Sequence, residues 1–190
     1  NGDGSFDLLL TTFRKGTLCL LNDGKGQFTD ATAKAGLESR TSGTTLALGD
    51  VDRDGDLDLY VANFGELALL RDGGSFAVRR VGGKSVVTGQ HAKRLKIING
   101  KLIEFGETDA FYLNDGHGVF QRVPWGAGRF GQANGQPFAE PLDFGLCVQM
   151  RDINGDGFDD LIVGAPRGDD GGGDAGEAYV VFGSDSGFGE

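Results

Sequence analysis

The chain has 190 residues, 35 of them glycine, and a formal net charge of −10. That acidity argues against nucleic acid, which needs a basic footprint, and no apolar run is long enough for a membrane-spanning helix, so membrane insertion is not expected. Glycine and proline total 39 residues with no collagen period, beside 38% apolar residues, a balance that suits many short strands and tight turns rather than disorder.

In chain order, the first unit (1–40) opens inside an acidic turn, Asn1-Gly2-Asp3-Gly4-Ser5-Phe6-Asp7. The apolar stretch FDLLLTTF follows, then LCLLNDGKGQF (18–28), an apolar strand running into an Asn-Asp-Gly turn and a second strand, which is a hairpin signature. The second unit (41–84) reads TTLALGD, then Asp50-Val51-Asp52-Arg53-Asp54-Gly55-Asp56-Leu57-Asp58, then LDLYVANF, ELALLRD and SFAVRRV. That is four strands, with the acidic loop joining the first to the second. The third unit (85–140) repeats the hairpin as FYLNDGHGVF (111–120), but at 90–105, where its acidic loop is due, it reads HAKRLKIINGKLIEFG, without paired acids. This predicts a blade that has lost its ion and kept its strands. The fourth unit (141–190) offers FGLCVQMRD, the acidic loop Asp152-Ile153-Asn154-Gly155-Asp156-Gly157-Phe158-Asp159-Asp160, DDLIVGAP and EAYVVFG. Asn1 and Asp52 stand 51 residues apart, and Asp52 and Asn154 twice that. A period of about 50 residues with four strands per unit predicts an all-β fold, a β-propeller of four-stranded antiparallel blades. About four blades are expected, in one propeller region spanning 1–190.

Carboxylates packed this closely repel one another unless a cation sits between them. A hard divalent ion such as Ca2+ takes 6–8 oxygens in a loose cage. Counting along each loop, positions 1, 3, 5 and 9 supply side-chain oxygens: Asp50, Asp52, Asp54 and Asp58 in one copy, Asp152, Asn154, Asp156 and Asp160 in another. The opening copy lacks position 1 and offers Asn1, Asp3 and Asp7. Position 7 (Ser5, Asp56 or Phe158) contributes its backbone carbonyl. An EF-hand fits poorly, since it needs a glutamate at position 12 and a following helix; here position 12 is Leu10, Val61 or Val163, inside strand-like runs. A solvated acidic turn is the plain alternative, and three copies in one phase argue against it. Three bound calcium ions would bring the net charge of −10 to about −4.

The repeated loops, the hairpins, Phe144-Gly145 and Gly164-Ala165-Pro166 together resemble the FG-GAP and VCBS repeat propellers. That family includes the integrin α-subunit head and cartilage-acidic-protein-like secreted proteins. Residues 1–140 look more like the VCBS branch, and 144–190 more like the FG-GAP branch. The resemblance implies calcium at the loop residues above, an extracellular or cell-surface setting, and continuation into further blades of a larger chain. It also implies a protein or glycan partner docked on loops at one face, with calcium structural; the lack of any recognisable nucleophile motif leads to the expectation of no enzymatic role. The alternatives are the propeller portion of a secreted polysaccharide- or phospholipid-degrading enzyme, and a purely architectural segment. Other strings carry less. Gly171–Gly176 fits a dinucleotide glycine pattern without its strand and helix. Gly83-Lys84-Ser85 and Asp143-Phe144-Gly145 lack their motif partners. Lys93-Arg94-Leu95-Lys96 reads as a solvated strand edge. Arg167-Gly168-Asp169 is an integrin-recognised tripeptide in a glycine-rich loop. His117 is expected at an exposed turn, no nucleophile motif accompanies it or His91, and Cys19 and Cys147 are expected to be buried free thiols.

Overall fold

A computed structural model of the protein describes residues 1–65, 75–89, 92–98, 100–125, 144–165, 177–184 and 187–188. Among these there is no α-helix, and all the sheets are antiparallel. The first sheet holds β1 (Leu8–Thr11), β2 (Thr17–Asn22) and β3 (Phe28–Asp30) in sequential order. The second has the order β11-β10-β5-β4, from β4 (Gly43–Gly49), β5 (Asp58–Asn63), β10 (Ala110–Asn114) and β11 (Phe120–Val123). The third is β12 (Cys147–Arg151), β13 (Asp160–Ala165) and β14 (Glu177–Val181). Each is a blade or most of one. A short hairpin, β15 (Gly183–Ser184) with β16 (Gly187–Phe188), follows the third.

Period-two alternation explains the stacking of these sheets. Side chains of a strand point to opposite faces in turn. All six residues of β5 are buried, which requires a covered sheet on both sides. Leu59 and Val61 pack with Cys19, Ala35, Leu37, Ala110, Tyr112 and Phe120 between the first and second blades. Tyr60 and Ala62 point the other way, with Phe111, Val148, Met150, Leu161 and Val163 between the second and third. The central blade is therefore sandwiched, and the polar edge of Tyr60 finds a buried partner in Asp109. Burying side chains of this size contributes roughly 1.5–3 kcal/mol each.

The blade boundaries differ from those expected. FYLNDGHGVF does not found a separate blade: Ala110, Phe111 and Tyr112 pair with Val61, Tyr60 and Leu59. It supplies the third and fourth strands of the blade begun at Gly43. ELALLRD, expected in that place, lies outside the described residues. SFAVRRV contributes β6 (Ala77–Val81), which pairs with β7 (Lys84–Thr88), and the 90–105 stretch contributes β8 (Leu95–Ile98) and β9 (Lys101–Glu104). Residues 64–109 are thus an insertion within one blade, and the doubled repeat spacing reflects its length. The described residues hold three blades where about four were expected.

Asp109 closes the neck of the insertion. Its carboxylate, fully buried, accepts from the Tyr60 hydroxyl and the Asn63 backbone N–H, both at 2.7 Å. Its carbonyl accepts from the Trp125 indole at 3.0 Å, and the Asn63 side chain donates to the Thr108 carbonyl at 2.8 Å. The last residue of β5 and the residue before β10 are held together, so the sheet continues across the excursion. Cys19 is buried as expected, whereas Cys147 is exposed, because β12 alternates and turns it outward.

Candidate metal centre

The three acidic loops share one backbone path. Position 4 lies in the left-handed region in each, at Gly2 (φ 76), Arg53 (φ 58) and Gly155 (φ 81). So does position 6, at Gly4 (φ 86), Gly55 (φ 93) and Gly157 (φ 90). Two left-handed residues wrap the chain inward, which glycine allows without steric cost. The N–H of position 7 then donates to the position 5 carboxylate: Ser5 to Asp3 at 2.8 Å, Asp56 to Asp54 at 2.9 Å, Phe158 to Asp156 at 2.9 Å. At position 1, Asp50 accepts from the Gly55 N–H at 3.1 Å and Asp152 from the Gly157 N–H at 2.9 Å. Hydrogen bonds of this kind favour the charged carboxylate. The Ser5 N–H and the Asn1 amide hold Asp3 below the usual carboxylate range, and the Phe158 N–H and the Asn154 amide do the same for Asp156.

Asp50, Asp52 and Asp54 offer carboxylate oxygens that all lie within 4.8 Å of one another. Asp50 Oδ1 is buried with no hydrogen-bond partner. A buried, unsatisfied anionic oxygen is costly, and a hard cation beside two further carboxylates would satisfy it. The residues present therefore fit a calcium ion. In the other two loops an asparagine replaces the acid at position 3. Its amide bridges to position 5, from Asn154 to Asp156 at 2.7 Å and from Asn1 to Asp3 at 2.9 Å, in place of the carboxylate that Asp52 supplies in the second loop. At position 7, no contact separates the carbonyls of Ser5, Asp56 and Phe158 as donors.

Position 9 has a second task that its place in the motif did not announce. Asp58 and Asp160 are fully buried. One oxygen of each accepts from the position 2 backbone, Val51 at 3.3 Å and Ile153 at 2.9 Å. The other accepts from the backbone of a later strand, Asn114 N–H in β10 at 3.0 Å and Gly183 N–H in β15 at 2.9 Å. Asp7 repeats this with the Asn22 N–H at 2.9 Å. The position 9 carboxylate ties the loop to its sheet. Burial, reinforced by the neighbouring charges of Asp52 and Asp54, lifts the Asp58 carboxyl to about 7 despite its two N–H donors.

Two residues that the sequence reading passed over join the second loop to the third. Asp159 Oδ2 accepts from the Asp50 N–H and Oδ1 from the Asp152 N–H, each at 3.0 Å. Its own N–H donates to the Asp50 carbonyl at 3.1 Å. One carboxylate thus fastens position 1 of both loops. Arg53 reaches back over the third loop, its guanidinium 5.1 Å from the Phe158 ring centroid. The signals were present: position 8 is acidic only in the third loop (Phe6 and Leu57 elsewhere), and position 4 departs from glycine only at Arg53. His117 is exposed in its turn, whereas His91, Arg167-Gly168-Asp169 and Gly171–Gly176 lie outside the described residues.

Comparison with known families agrees with this architecture. Residues 1–61 match the FG-GAP-like repeat and residues 148–181 the FG-GAP repeat; the first match contains two of the acidic loops and the second contains one. No curated protein matches the chain. With three loop-bearing antiparallel blades and repeats matched at both ends, the chain belongs to the FG-GAP repeat family and carries a β-propeller module.

Proposed function

We propose that this module is a calcium-stabilised propeller for extracellular binding, with calcium in a structural role and the partner a protein or glycan. The supporting observation is the Asp50, Asp52 and Asp54 cluster around a buried, unpartnered oxygen, in a repeat family that commonly binds calcium. Asp50, Asp52 and Asp54 would hold the ion in the second loop, with Asp58 tying that loop to its blade. Asp152, Asn154 and Asp156 would form a weaker site in the third loop, and Asn1, Asp3 and Asp7 the weakest. A bound ion neutralises the carboxylates that otherwise strain each loop, so binding stabilises the fold. No helix among the described residues is long and apolar enough to cross a membrane. Repeats of this family are typical of extracellular proteins, where millimolar calcium fills weak sites, with Kd on the order of 10⁻⁴–10⁻³ M.

Calorimetric titration with calcium tests the reading. The expected result is a strongest site that disappears in Asp52→Ala and persists in Asn154→Ala. Absence of any calcium binding by the folded wild-type chain would refute the metal half of the proposal.

A further inference from the structure

The middle of the insertion reverses the charge of the molecule. Between residues 73 and 103 stand seven lysines and arginines and no aspartate or glutamate. The rest of the chain then carries eleven cationic against 28 acidic residues. Arg94 is used internally, pairing with Glu104 at 3.1 Å and donating to the Phe105 carbonyl at 3.0 Å, which anchors β8 to β9. The other six, Arg79, Arg80, Lys84, Lys93, Lys96 and Lys101, are exposed. Among the described residues none of the six has a carboxylate partner.

Strand register sets their arrangement. Arg79 faces Val86, and Val81 faces Lys84, so Arg79 and Lys84 are diagonal neighbours on one face of the β6–β7 hairpin. Lys96 faces Ile103, and Ile98 faces Lys101, which places Lys96 and Lys101 in the same diagonal relation on the next hairpin. Such neighbours lie roughly 7–8 Å apart. Lysine on an edge strand discourages mispairing, but that does not account for cations on the faces of both hairpins. Nor does the β6–β7 hairpin have a core to justify its exposed sheet: every residue of β6 is exposed, and an isolated hairpin is marginal in water.

We infer that the inserted hairpins bind an acidic polysaccharide, a chain of sulfated or carboxylated sugars, through this double diagonal of cations. The inference rests on the extracellular-binding half of the proposed function and is independent of calcium. Charge must carry the recognition. The exposed valines are few: Val78 lies on one face, and Val81 and Val86 are diagonal neighbours on the other, beside Arg79 and Lys84, a pair too small to be the apolar centre that a protein interface uses. The four strands carry no aromatic residue on which a neutral sugar could stack, and Phe105, next after β9, is covered by the Lys96 ammonium 4.8 Å from its ring centroid. Duplex DNA, with one charge per about 1.7 Å of axis, would meet strong repulsion from the acidic blades flanking the patch. A glycan with one anionic group per sugar, reaching only the insertion, meets less.

The test is binding of the whole chain, in calcium at low salt, to heparin, polygalacturonate, dextran and duplex DNA. Two charge-reversed variants accompany it, Arg79→Glu/Lys84→Glu and Lys96→Glu/Lys101→Glu. All four sites are exposed, and an unchanged melting temperature verifies folding. The expected result is binding to heparin or polygalacturonate, whichever class of anion fits, with affinity falling steeply with salt and at least about tenfold in each variant. Dextran should not bind, and DNA should bind more weakly. No binding to either acidic glycan, equal or tighter binding to DNA, or affinity unchanged in both variants would overturn the inference. Binding of dextran alone would overturn it while leaving the extracellular-binding reading intact, and calcium titration of the same samples reports separately on the metal.

Discussion

Asp58 illustrates how one side chain serves loop and sheet together. Buried, and facing the charges of Asp52 and Asp54, its carboxyl is raised to about 7 where no cation is present. A carboxylate whose folded value lies above its unfolded one weakens the fold as it ionises, so stability is lost as pH rises from the ordinary carboxylate range through about 7. In chelator the melting temperature should therefore be lower at about pH 8 than at about pH 5.5. Saturating calcium should abolish or reverse that order, because the ion binds deprotonated ligands. Melts in chelator that do not change across this range would remove Asp58 from the account. Arg53 presents a different balance, being a non-glycine residue in the left-handed region at φ 58, where a side chain costs roughly 1–2 kcal/mol. Arg53→Gly should relieve that cost while losing the contact with Phe158, leaving stability within about 1 kcal/mol of wild type by denaturant unfolding. A loss several times larger would mean that the contact with the third loop outweighs the backbone strain.

Among the elements, the joints matter more than the strands. Asp159 fastens position 1 of two loops that belong to different blades. Asp159→Ala should weaken calcium binding at both the second and the third loop, by about three- to tenfold each, for a loss of roughly 1 kcal/mol per site. An effect confined to the third loop would show that the hydrogen bond to Asp50 carries no coupling. Asp109→Ala strips partners from the Tyr60 hydroxyl and the Asn63 N–H in a buried setting and should cost about 3 kcal/mol in denaturant unfolding. The loops, their strands and the hairpins were legible in the sequence because each depends on local chemistry: alternating acids, glycine at position 6, and Asn-Asp-Gly turns. The pairing of β5 with β10 was not, because it joins strands separated by the insertion, and the buried Asp109 that permits it sits in the unremarkable string ETDAF. Asp58 was recognised as an acid of the motif, but its hydrogen bond to Asn114, 56 residues away, cannot be read from local spacing.

At the scale of the whole molecule, charge is divided by task. Acidic loops lead into β1, β5 and β13, while the basic insertion leaves the central blade from the far end of β5. The central blade supplies both faces of the buried core, so loosening its loop should be felt throughout. The effect of a bound ion follows from mass action. A site filled at a hundred times its Kd adds about 2.7 kcal/mol, and in a domain of this size each kcal/mol moves the melting temperature by roughly 2–4 °C. Thermal unfolding of the chain in millimolar calcium and in excess chelator is therefore the most direct measurement. The account predicts that chelation lowers the melting temperature by at least about 5 °C, and that Asp54→Ala reproduces part of that loss in calcium. Superimposable wild-type melts with and without chelator would contradict it.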